Sequence, residues 1–164
     1  MAGVTMHLDL AEALAMFARI RAAGRNLRPL MTEIGSELED STRQRFRSET
    51  DPAGIPWVRI SEEWAAEKAE RGFASGILKM RGDLLNSVRF EASNDGVSII
   101  ASTPYAAVHQ FGARIRPKRG RALRVRGRLL SAVNIPARPY IGVSTDDAAN
   151  ILDAAQDFLR RASS

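Results

Sequence analysis

The chain has 164 residues, 45% of them hydrophobic and 26% charged, a length and balance that suit one domain spanning 1–164. With no cysteine and two histidines, His7 and His109, a disulfide scaffold, a thiolate nucleophile, an iron–sulfur centre and a multi-histidine metal site are excluded. The net charge is +5, no apolar run nears the roughly 20 residues that cross a bilayer, and the N-terminus lacks the pattern of a secretory leader, so a soluble, basic, intracellular protein without membrane or cofactor is expected.

Leu10, Leu14, Phe17 and Ile20 recur at helical spacing, which predicts an amphipathic helix over 8–23, closed by Gly24. Pro29 suits a first helical turn. Leu30, Ile34, Leu38, Arg45 and Phe46 then mark one face of a second helix to about Arg47. Asp51, Pro52, Gly54 and Pro56 make a rigid turn before Trp57. Ser61 caps a short helix through about Glu70, with Trp64 facing inward and Arg71-Gly72 closing it. Residues 77–80 read as a short strand, and Gly82-Asp83 turns into a short segment over 84–88.

Val88, Phe90 and Ala92 alternate with Arg89 and Glu91, and Val97, Ile99 and Ala101 alternate after Asn94-Asp95-Gly96. That is a β-hairpin with its turn signal. A helical turn follows Pro104, from Tyr105 to Phe111. Residues 113–135 read as a long β-hairpin arm, with Gly120 and Gly127 as turn candidates and Leu123 and Val125 alternating with Arg124 and Arg126. Pro136 and Pro139 stiffen an extended segment over 135–143. Ser144 or Thr145 caps a last helix, with Asp146 and Asp147 in its first turn. Ile151, Leu152, Ala155, Phe158 and Leu159 form its apolar face, and Arg160 and Arg161 lie at its negative end.

Charge is unevenly spread. No Asp or Glu lies between Gly96 and Thr145, while Arg114, Arg116, Lys118, Arg119, Arg121, Arg124, Arg126, Arg128 and Arg138 do. The remainder of the chain carries a net −4. A mildly acidic body with a strongly basic arm points to an acidic partner, either another subunit's body or DNA; the plainer alternative is a solvated arginine-rich loop.

Catalytic patterns are missing. No glycine-rich phosphate loop or HExxH is present. His109 with Ser102 and Asp95 is a weak triad candidate, since no Gly-x-Ser-x-Gly elbow surrounds any serine. Asp146 and Asp147 fit a helix start better than an acid–base pair. Trp57 and Trp64 fit core packing, with Ile55, Val58 and Ile60 beside them, better than a platform for bases.

Four blocks in order resemble one family. They are Asp51-Pro52-Ala53-Gly54-Ile55-Pro56-Trp57, then Ile77-Leu78 with Arg81-Gly82-Asp83-Leu84-Leu85-Asn86-Ser87-Val88, then Tyr105-Ala106-Ala107-Val108-His109-Gln110-Phe111-Gly112, then Ile135-Pro136-Ala137-Arg138-Pro139-Tyr140-Ile141-Gly142. Together, over about 28–160, they are similar to the phage virion morphogenesis family, the tail completion or neck proteins of Mu-like tailed phages. The family's usual Thr-Gly-x-Leu is Arg81-Gly82-Asp83-Leu84 here, and its usual Phe after the last proline is Tyr140. The resemblance implies an α+β fold, an antiparallel β-sheet packed by long N- and C-terminal helices. It implies a structural, non-catalytic protein of the virion, made in the bacterial host cytoplasm and assembled as a hexameric ring at the head–tail junction, where it completes the tail or joins it to the head. Neighbouring connector and tail tube or terminator proteins are the implied partners. On that reading Tyr105, His109 and Phe111 form a structural turn that belongs to the subunit-interface or anchor set, with His109 hydrogen-bonded to backbone or to a neighbour. Ile135, Pro136, Arg138, Pro139 and Tyr140 anchor the arm or a subunit interface, Arg138 offering its fork to a carboxylate. The arm cations meet an acidic neighbour or DNA in the lumen.

Overall fold

The computed structural model describes residues 11–22, 26–118 and 122–162. Two N-terminal helices come first, α1 (Ala11–Ala22) and α2 (Arg28–Ser48). Pro29 sits in the first turn of α2, and Asn26 Oδ1 accepts the Arg28 N–H at 3.0 Å where no N-cap side chain is available. One stripe of α2 is buried, Leu30, Met31, Ile34, Leu38 and Phe46 among it. The first expected helix residues, 8–10, its closing Gly24 and His7 lie outside the described residues.

The α2 stripe packs against a hairpin, β1 (Val88–Ala92) and β2 (Val97–Ala101), paired antiparallel with Phe90 opposite Ile99. Gly35 makes this approach possible: a Cβ there would stand 2.4 Å from Phe90 Cδ2. Asn94 Oδ1 in the hairpin turn accepts the Leu27 N–H at 2.6 Å, so the turn is fastened to the start of α2. On another side of α2 lies α6 (Thr145–Ala162), which also touches α1. Ser144 Oγ accepts the Asp147 N–H at 3.1 Å and Asp147 Oδ2 accepts the Ser144 N–H at 2.8 Å, a reciprocal cap. Ile151, Ala154 and Ala155 are its buried apolar residues, with Phe158 and Leu159 packed against the core.

Between these come α3 (Glu62–Glu70), α4 (Asp83–Asn86) and α5 (Ala106–Phe111). Ser61 Oγ caps α3 by accepting the Trp64 N–H at 3.2 Å. The arm contributes β3 (Ala113–Ile115), β4 (Leu123–Val125), β5 (Arg128–Leu130) and β6 (Val133–Ile135). The fold is α+β. Among the described residues its strands form three separate two-stranded antiparallel sheets, β1-β2, β3-β6 and β4-β5, rather than one sheet.

Two further expectations change. Residues 77–80 are no strand: Leu78 adopts φ +59°, and the Ile77 N–H goes to Glu49 Oε1 at 2.8 Å instead of to a neighbouring strand. Glu49 itself ends α2 in the left-handed conformation, φ 58°. Trp64 is only half-buried, while Trp57 is core, edge-on to Phe46 at 5.6 Å; the apolar neighbours Ile55 and Val58 are exposed.

Candidate interaction surface: the basic arm and its root

The arm is a ribbon in two parts. At its base Ala113 pairs with Ile135 and Ile115 with Val133. At its tip Leu123 pairs with Leu130, Arg124 with Leu129 and Val125 with Arg128. Arg126 (φ 51°) and Gly127 (φ 78°) form the two-residue connection, the left-handed pair whose twist suits a tight hairpin. Arg119, Gly120 and Arg121 lie outside the described residues.

The tip folds onto α3. Arg126 Nε donates to Glu67 Oε2 at 2.5 Å and its Nη2 to the Glu63 carbonyl at 3.1 Å. Arg128 reaches Glu63 Oε1 at 3.3 Å. The Arg126 guanidinium also lies 5.4 Å from the Trp64 ring centroid, a cation–π contact that covers the half-buried indole. Two arm cations are thus met by the chain's own acidic body. Arg114, Arg116, Lys118 and Arg124 are exposed and make no hydrogen bond or ion pair among the described residues. Leu129, opposite Arg124 on the same ribbon face, is 72% exposed, and Ile115 is 42% exposed.

The root of the arm is α5 and the segment 136–143. Gly112, which joins α5 to β3, has φ 74°, and a Cβ there would meet Ala137 N at 2.8 Å and Ile135 O at 2.9 Å. The segment 136–143 is bound on every side by its own chain. Gln110 Oε1 accepts the Tyr140 and Ile141 N–H groups at 3.0 and 3.1 Å, while Gln110 Nε2 donates to the Ile141 carbonyl at 2.8 Å. Trp57 Nε1 donates to the Pro139 carbonyl at 2.9 Å. Arg45 donates to the carbonyls of Tyr140 and Gly142 at 3.1 and 2.9 Å and is ion-paired with Asp147. Burial pulls the Arg45 pKa down, against the opposing charge of Asp147.

The structure separates the anchor residues expected from sequence. Tyr140 is fully buried against Phe46, its hydroxyl donating to the Ala106 carbonyl at 3.0 Å; burial pushes its pKa up. Arg138 is 6% exposed and meets no carboxylate among the described residues: its Nε donates to the Val58 carbonyl at 2.8 Å. Ile135, Pro136 and Pro139 are half-buried in the chain's own packing. Tyr105 and Phe111 are 40% and 64% exposed. His109 is half-buried, edge-on to Tyr105 at 5.8 Å. Its carbonyl accepts the Arg138 N–H at 2.7 Å, whereas its imidazole Nδ1 is buried without a partner, so the expected side-chain hydrogen bond is not made within the described chain. Burial, and then the Arg138 charge, lower its pKa, which favours the neutral ring. Asp95 is paired with Arg21 at 3.1 Å, so the sketched Ser102–Asp95–His109 triad has no hydrogen-bonded chain. Among the described residues no acidic or histidine cluster could hold a metal ion.

Sequence reasoning missed the two residues that tie the root together. Arg45 had a signal, because it falls on the apolar stripe of α2. Gln110 had none, since its position in α5 became decisive only when the segment 136–143 crossed it.

The sequence that builds these parts is similar to those of known proteins. A profile of the phage virion morphogenesis family matches residues 8–160. The chain belongs to that family. A relative named "Putative capsid assembly protein G", from Escherichia phage Mu, is 33% identical over 125 residues, 74% of this chain and 72% of that protein. The Mu-like prophage FluMu G protein 2 of Haemophilus influenzae is 29% identical over 149 residues, 91% of this chain and 90% of its own. A second such prophage protein, FluMu G protein 1, is 22% identical over 126 residues. No solved structure matches the chain. Family membership makes this a protein of phage virion morphogenesis, and the matched residues include the basic ribbon and its root.

Proposed function

We propose that this chain works at the head–tail junction of a tailed phage, completing the tail or joining it to the head, as one domain of a hexameric ring whose arm reaches the next subunit or an adjacent ring. The role is structural, without catalysis. The observation that carries it is the outward face of the arm tip, where the unpaired Arg124 sits across from Leu129, 72% exposed. A bare leucine beside an unneutralised arginine is a protein-facing combination: burial of the leucine drives association and the arginine finds a carboxylate. The body of a neighbouring copy supplies carboxylates, with the rest of the chain at net −4. Neighbouring connector and tail tube or terminator proteins are the further partners of such a ring.

A second reading, in which the arm grips DNA in the lumen, is favoured by Arg114, Arg116, Lys118 and Arg124 all lacking partners among the described residues. The two readings separate experimentally. Sedimentation of the purified chain across concentration without DNA should show a discrete ring, lost when Arg124 and Leu129 are replaced together. Electron microscopy of particles should locate the chain at the junction. A monomer at all concentrations that binds duplex DNA with a steep salt dependence would overturn the first reading in favour of the second.

A further inference from the structure

Beside the arm root lies a cavity of about 510 Å³, enclosed by α3, the loop 76–82 and α5. Its wall is chemically lopsided. Lys68, Lys79, Arg81 and Arg138 line it against one carboxylate, Asp83. Glu49 offsets part of this by pairing with Lys79 at 3.2 Å. Lys68 is 4% exposed and its ammonium donates to the Gly76 carbonyl at 2.6 Å. Arg138 is 6% exposed and spends its Nε on the Val58 carbonyl; its terminal N–H groups have no partner among the described residues. His109 adds a buried Nδ1 that is also unpartnered.

The Arg138 guanidinium fork is held in one orientation on the cavity wall by its Nε, and a fork so held is prepared for a planar anion. The rest of the wall is apolar: Leu78, Met80 and the Tyr105 ring also line the cavity, and Met80 and Tyr105 are each 40% exposed. An inorganic anion alone would leave that apolar surface wet. A duplex phosphate lies on the outside of a broad cylinder and does not follow a guanidinium this deeply buried. A peptide carboxylate with an apolar neighbour satisfies both walls.

We propose that this cavity is a socket for an acidic, partly apolar peptide segment of a partner protein, its carboxylate seated on the Arg138 guanidinium and its flanking apolar side chain on Tyr105, Met80 and Leu78. The socket borders the arm tip, whose Arg126 covers the Trp64 ring on the cavity wall, but its occupancy is tested without ring formation, because binding is read on the purified chain with an added peptide. Ring assembly is followed separately by sedimentation, so either idea can fail alone.

The probe is a short fluorescein-labelled peptide alternating leucine and glutamate, with the leucine–glutamine peptide as its uncharged control. Binding is followed by fluorescence polarisation, and the His109 imidazole signals are followed by NMR. The glutamate peptide should bind saturably and move the His109 signals, and the glutamine peptide should do neither. Arg138→Met should abolish binding. Because Arg138 also braces Val58, Arg81→Gln at the exposed rim is the second variant; it should keep the fold and weaken binding by about threefold to tenfold. Equal binding of both peptides, no saturable binding, no movement of His109, or full affinity in Arg81→Gln together with Arg138→Met would overturn the proposal. Movement of the His109 signals by duplex DNA in place of the peptide would overturn it as well.

Discussion

The arm and the segment that follows it are neighbours in sequence and both carry arginine among aliphatic residues, many in the arm and Arg138 alone in the segment, yet the fold treats those arginines in opposite ways. In 136–143 the backbone groups from Pro139 to Gly142 are met inside the chain. Arg45, Trp57 and Gln110 serve its backbone, and Tyr140 closes on the Ala106 carbonyl. In 113–135 Arg126 and Arg128 are spent on Glu63 and Glu67, and Arg124 has no partner among the described residues and sits across from exposed Leu129. A satisfied arginine cements a monomer; an unsatisfied one at the surface is available to a partner. The same residue type is therefore structural or interactive according to what the tertiary fold places around it.

That contrast is broken most severely at the buried ion pair. Asp147→Ala removes the only carboxylate paired with Arg45 in the described chain and strands a guanidinium whose side chain is 6% exposed. It should cost about 3–5 kcal/mol, read by urea unfolding, and no loss above the noise would show that the root is not held this way. Tyr140→Phe leaves the Ala106 carbonyl without its donor, and about 1–2 kcal/mol should be lost in the same assay.

His109 gives a pH-dependent test of the root. Its folded pKa lies below the ordinary histidine value, so the unfolded chain binds the proton more readily. Stability from this group is fully present above about pH 6.5 and is lost as the pH falls from there through the folded pKa. His109→Gln should flatten that part of the stability–pH curve; an unchanged slope would assign it to other groups.

On the arm the effects on the monomer shrink. Glu67→Gln should release the tip from α3 at a cost of about 1 kcal/mol or less, visible as faster tryptic cleavage after Arg126. Arg124→Glu with Leu129→Ser should change monomer stability by no more than about 0.5 kcal/mol, since neither residue is buried, and should nevertheless abolish assembly. If this double variant assembles normally, the exposed face of the arm is not an interface.

Local physics was enough for much of this molecule. The stripe Leu30–Ile34–Leu38–Phe46, the Asn94-Asp95-Gly96 turn between alternating strands, the Ser61 cap and the Ser144 start of α6 were all legible, because helical period, strand alternation and capping depend on residues close in sequence. So was the uneven charge. The sequence could not show that 77–80 would be held by Glu49 from the end of α2, since that bond joins residues 28 positions apart. Nor could it tell Arg138 from Arg124. Both lie in extended segments without acidic residues, and only the packing of 136–143 across α2, Trp57 and α5 buries the first against a carbonyl and leaves the second bare. Burial and pairing of a charge are set by what arrives from distant parts of the chain, and no local pattern encodes that arrival.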